Sequence, residues 1–200
     1  MKIKIIVLLA FIALPLFSLG QKIHRKTFDQ PTEKDDSIAV ENYKCTYRNL
    51  FSAKKRLLFY PFNVAKKIIL ISYNDTSEVM NKTPVVNRKI MPRTIKETIT
   101  LNDTQIDSLT SILYNITSKP NDSFWQIADP GASCYQPRNS ILFLNENDRV
   151  LDFIEICFEC GRTEYSSKRI KRFQNCESKY DILKAFFIST GTKYGTITTD

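Results

Sequence analysis

The stretch from Cys134 to Cys160 constrains the fold more than any other part of the chain. Ile141-Leu-Phe-Leu144 and Val150-Leu-Asp-Phe-Ile-Glu-Ile-Cys-Phe158 are rich in β-branched and aromatic residues, and the turn-forming run Asn145-Glu-Asn-Asp148 separates them. That pattern predicts a β-hairpin. If Leu144 faces Arg149 across the turn, counting outward sets Arg138 opposite Glu155 and Cys134 opposite Glu159. Tightening the turn by one residue sets Cys134 opposite Cys160. Directly opposed side chains have Cβ atoms about 4.5–5.5 Å apart, near disulfide range. Cys134 is therefore expected within reach of Cys157 or Cys160. Pro137 cannot donate to a ladder, so it marks an edge strand or the ladder's end.

The first residues decide how the cysteines are read. Lys2 and Lys4 precede the apolar run Ile5 to Phe17, and Ser18-Leu19-Gly20 supplies small residues where a signal peptidase cuts. Residues 1–20 are predicted to be a signal peptide, with the mature chain starting at Gln21 and no transmembrane helix after cleavage. The destination is then secreted or periplasmic, where thiols tend to be oxidised. The sequence has five cysteines, an odd number, and Cys45, far from the rest, is expected to be the one left over.

Four readings of Cys134, Cys157, Cys160 and Cys176 stand. Structural disulfides suit the compartment best. Cys157-Phe-Glu-Cys160 also has the spacing of a metal knuckle, and all four thiolates could close a tetrahedral metal site, although a zinc ribbon would bring a second close pair. A redox pair would place its first cysteine at a helix N-terminus, and here the motif ends a strand. Free buried thiols are the fourth reading.

Taken in order, residues 21–36 read as a flexible N-terminal arm. Residues 37–200 read as one domain, an α+β fold: a mostly antiparallel sheet with two main helices packed on one face. Ala65 to Tyr73 reads as a strand buried on both faces, and Thr94 to Leu101 as another, with Val85-Val86 a short strand between them. Asn102 caps a helix, with Gln105 completing a capping box and Leu101 and Ile106 at the staple positions. Ile106, Leu109, Ile112 and Leu113 form its apolar stripe. Gly161 to Asn175 reads as a polar, basic loop. Asn175 is expected to cap a second helix carrying Tyr180, Leu183 and Phe186-Phe187, with Gly191 at its C-terminal cap.

The run Cys134-x-x-Pro137-Arg138-Asn139, then Ile154 to Cys160, then Cys176 ahead of Tyr180, Leu183 and Phe186-Phe187, resembles a group of uncharacterised exported bacterial proteins. The likeness covers roughly the C-terminal third, and that group has no assigned activity, so it implies an exported context and no mechanism.

Other chemistry is thin. The single histidine, His24, sits on the arm, so no Ser/His/Asp triad is available. Five glycines supply no phosphate-binding loop. Asp152, Glu155 and Glu159 lie on the second hairpin strand, with Glu155 expected in a structural salt bridge to Arg138. A formal charge of +8, with clusters at Lys54-Lys55-Arg56, Lys66-Lys67 and Lys168 to Arg172, suits a solvated face or an acidic partner. Few aromatics interleave the second basic cluster, which argues against specific nucleic-acid binding. The expectation is a non-catalytic binding or structural domain whose partner is an anionic envelope polymer or a protein. The alternative is a metal-binding or thiol-dependent protein built on the four cysteines.

Overall fold

The computed structural model describes residues 32–74, 82–120 and 135–197. The expected signal peptide and most of the expected arm lie outside them, as does Cys134. Chain contacts separate Met1–Pro31 from Thr32–Asp200, and the second unit holds every described residue.

That unit is an α+β fold built on a five-stranded antiparallel sheet. Its strands are β2 (Lys67–Tyr73), β5 (Ile95–Thr100), β7 (Asn139–Leu144), β8 (Val150–Cys157) and β9 (Arg162–Tyr165), in the order β5-β2-β7-β8-β9. β2 and β7 are the apolar runs and are buried on both faces. β9 falls inside the stretch read as a loop. It is short and alternates Arg162, Thr163, Glu164 and Tyr165, as a charged edge strand does.

Two helices cover one face. α3 (Asp103–Asn115) starts where the sequence places it: Asn102 Oδ1 accepts from Gln105 N, and Gln105 Oε1 accepts from Asn102 N. α4 (Lys179–Ser189) begins later than expected, with Ser178 at its N-cap. Asn175 instead accepts from the backbone N–H of Cys176. Gly191 takes φ +105 and Thr192 N donates to Phe187 O, closing the helix in a Schellman turn. Leu109 and Leu113 of α3 and Leu183 and Phe187 of α4 pack on Ile68, Leu70, Ile141, Phe143, Ile154 and Ile156 of the sheet. The two helices are joined by Lys179. Its buried ammonium donates to the carbonyls of Ile112 (2.5 Å), Leu113 (3.3 Å) and Ile116 (2.5 Å), the unpaired end of α3.

The second face carries Ile69, Ile71, Tyr73, Leu142, Leu144 and Val150. A small hairpin, β3 (Val85–Val86) with β4 (Lys89–Ile90), lays Val85 and Ile90 against it. Beyond the sheet, α1 (Glu33–Tyr43) begins inside the expected arm, capped by Thr32 and Asp35. β1 (Thr46–Tyr47) pairs with β6 (Ile116–Thr117). A short helix α2 (Ala53–Arg56) buries Arg56, which donates to Thr110 Oγ1 (3.1 Å) and Phe51 O (2.9 Å) and pairs with Asp107.

The β7–β8 hairpin forms as expected, with a register one residue further along. At the turn, Leu144 faces Val150, the tighter of the two expected registers. A bulge between Phe143 and Leu144 then shifts the ladder again, so Ser140, not Arg138, faces Glu155. Arg138 pairs with Glu159 at 2.5 Å, which corrects the expected Arg138–Glu155 bridge.

Candidate functional site

Alternation along β8 sends Ile154 and Ile156 to the helices and Glu155 and Cys157 to the second face. Glu155 is 4% exposed. Its Oε2 accepts from the backbone N–H of Thr83, from Thr83 Oγ1 (2.7 Å) and from Tyr73 OH (3.5 Å); its Oε1 accepts from Tyr135 OH (2.6 Å). Ser140 Oγ donates to Tyr73 OH at 3.3 Å and shares a 2.5 Å hydrogen bond with Thr83 Oγ1. Burial, then the neighbouring Glu155 carboxylate, push the Tyr73 hydroxyl far above its ordinary value. Burial and its hydrogen bond to Glu155 do the same for Tyr135. Both phenols therefore stay protonated and donating. A buried carboxylate surrounded by donors is a structural anchor. It holds Thr83 and Tyr135 to the middle of the sheet. Thr83, Ser140 and Tyr73 had no local signature, since an isolated hydroxyl reveals nothing until strands bring several together.

The cysteines are arranged differently from the expectation. Cys45, expected to be left over, is bonded to Cys176 across 131 residues of sequence. The residue before β1 thus meets the residue two before Ser178, a pairing that spacing alone could not reveal. Cys160 is also disulfide-bonded. Among the described residues Cys157 is the free thiol, buried at the end of β8, and its Sγ lies 2.8 Å from that of Cys160. Of the four expected metal ligands, Cys157 and Cys160 are brought together, Cys176 is joined to Cys45, and Cys134 lies outside the described residues. A sulfur in a disulfide offers no thiolate, so in this oxidation state Cys160 and Cys176 are not ligands. Among the described residues no group of histidine, cysteine, aspartate or glutamate side chains is placed to hold a metal.

The other end of the second face is open. An open groove of about 480 Å³ runs between β4 and the sheet, lined by Lys67, Ile69, Lys89, Ile90, Thr98, Thr100, Leu144 and Asn147-Asp148-Arg149. Its floor is Ile69, Ile90 and Leu144, and its rim holds three cations against one acid. Asp148, at φ +54 in the hairpin turn, pairs with Lys67 at 2.5 Å. Lys66-Lys67 was read as a basic cluster at the start of the Ala65 to Tyr73 strand; Thr98 and Thr100 of β5 join Lys67 through the sheet, and Lys89 of β4 and Arg149 of the hairpin turn complete the rim.

No protein family, no characterised protein and no solved structure matched the chain. No helix among the described residues is long and apolar enough to cross a membrane.

Proposed function

We propose that the protein is an exported, non-catalytic binding domain that takes an acidic polysaccharide of the cell envelope along the groove of its second face. The groove itself carries this reading: an open channel with an apolar floor, two threonine hydroxyls and three cations to one acid. Sugar rings stack on apolar ground, hydroxyls meet hydroxyls, and carboxylate or sulfate groups meet Lys67, Lys89 and Arg149. Glu155 and Lys179, both buried, are each committed to internal partners, which supports a binding role over a catalytic one. The Lys2 to Gly20 leader supports export.

Binding to heparin and alginate, with neutral dextran as the control, tests the reading. Affinity should fall as salt rises. The combined change Lys67→Gln, Lys89→Gln and Arg149→Gln should weaken it about tenfold or more, roughly 1.4 kcal/mol. Lys54→Gln with Lys55→Gln, on α2, should leave it nearly unchanged. Equal losses from both sets would mean diffuse charge and no groove.

A further inference from the structure

Residues 50–64 pack along α3 in a tight series of turns, and their inner side chains are committed there. Arg56 is buried against Thr110 and Asp107. Phe51 N donates to Asn115 Oδ1, and Asn115 Nδ2 donates to Phe51 O, each at 2.9 Å. Phe59 and Phe62 both meet the Tyr114 ring edge-on. The outer side differs. Leu57 is 41% exposed, Leu58 58% and Val64 44%. Turns fix the backbone that carries them: Leu57 N donates to Ala53 O, Leu58 N to Lys55 O and Val64 N to Pro61 O. Lys54 and Lys55 stand just before the leucines on α2. Lys171 reaches across from the basic loop, 4.9 Å from the Phe59 ring centre and 5.3 Å from that of Phe51. Among the described residues no carboxylate pairs with Lys54, Lys55 or Lys171.

We propose that residues 50–64 and Lys171 form a docking surface for an anionic lipid bilayer. Leu57 and Leu58 enter the boundary between headgroups and acyl chains. Lys54, Lys55 and Lys171 lay their apolar stems along it and set their ammonium groups at the lipid phosphates. Rigid, exposed aliphatic side chains beside unpaired lysines match the two terms that hold a protein at such a surface, apolar burial and charge. Two other partners match them less well. Nucleic acid would need ring faces for its bases, and here Phe51 and Phe59 meet edge to face and carry Lys171. A second copy of this chain would set like charges against each other in a two-fold contact. The surface is independent of the groove, since a soluble acidic polymer offers the leucines no apolar phase.

The test is co-sedimentation of the chain from Gln21, without the apolar leader, with vesicles. One set is phosphatidylglycerol and phosphatidylcholine in equal parts; the other is phosphatidylcholine alone. Wild type should bind the mixed vesicles, less as salt rises, and the neutral ones at least about tenfold more weakly. Leu57→Ser with Leu58→Ser should weaken binding to the mixed vesicles about tenfold. Lys54→Gln, Lys55→Gln and Lys171→Gln together should weaken it about a hundredfold at low salt. Both sets change exposed side chains, so circular dichroism should match wild type; Leu58→Ser alone, at the more exposed leucine, serves where the pair is less stable. Three results overturn the proposal: no binding to the mixed vesicles, equal binding to both sets, or a loss with the lysine changes and none with the leucine changes.

Discussion

Two residues in this chain have roles that their types alone do not announce. Glu155 looks like a salt-bridge partner in sequence, yet its carboxylate serves hydroxyls and a backbone amide. Glu155→Leu would leave those donors buried without an acceptor, and should cost about 3 kcal/mol in urea unfolding. An unchanged midpoint would show that water reaches them. Gly195 is the second. It takes φ +72, and a Cβ there would fall 2.4 Å from Asn139 Oδ1. The chain after α4 folds tightly here: Asn139 Nδ2 donates to Tyr194 O, and Glu97 accepts from the amides of Lys193 and Tyr194. Gly195→Ala should therefore lower stability by about 2 kcal/mol or more, measured by thermal melting. Neither role was legible, because each depends on which strand end lies opposite.

At the scale of elements, legibility followed locality. α3 could be read in full because its cap, staple and stripe all sit within fifteen residues of each other or so. The β7–β8 hairpin was legible except for its bulge, which a single extra residue creates without a signature. β9 escaped because four alternating polar residues look like loop until a partner strand supplies the ladder. Asn102→Ala should cost about 1 kcal/mol of unfolding free energy. The junction of α3 and α4 gives a pH prediction. Burial pulls the Lys179 ammonium down to about 8, while in the unfolded chain it titrates near its ordinary value of about 10.4. Between pH 8 and 10 the unfolded state holds the proton more tightly, so stability rises with pH by up to about 2 kcal/mol. Above pH 10 the sign reverses. Burial and Asp152 raise Tyr60 to about 12, so the unfolded chain loses phenolic protons first. Lys179→Met should flatten the rise between pH 8 and 10 in chemical-denaturation curves; a rise that persists would assign it to another group.

Across the whole molecule, long-range links join the elements. The Cys45–Cys176 disulfide ties the start of β1 to the approach of α4 across 131 residues. By loop-closure entropy such a bond is worth about 5 kcal/mol, less any strain. Replacing both cysteines with serine should lower Tm by several degrees. The sequence pointed to the wrong odd cysteine because pairing follows distance in space. The groove was hidden for the same reason: β2, β4, β5, β7 and the hairpin turn each contribute only one to three of its residues. Its function is tested most directly by backbone NMR during titration with an acidic oligosaccharide such as an alginate tetramer. The account predicts saturable shifts at Lys67, Lys89, Thr98, Thr100 and Arg149, lost in high salt. Shifts centred instead on Lys54 to Arg56 or Lys168 to Arg172, with the groove residues still, would contradict it.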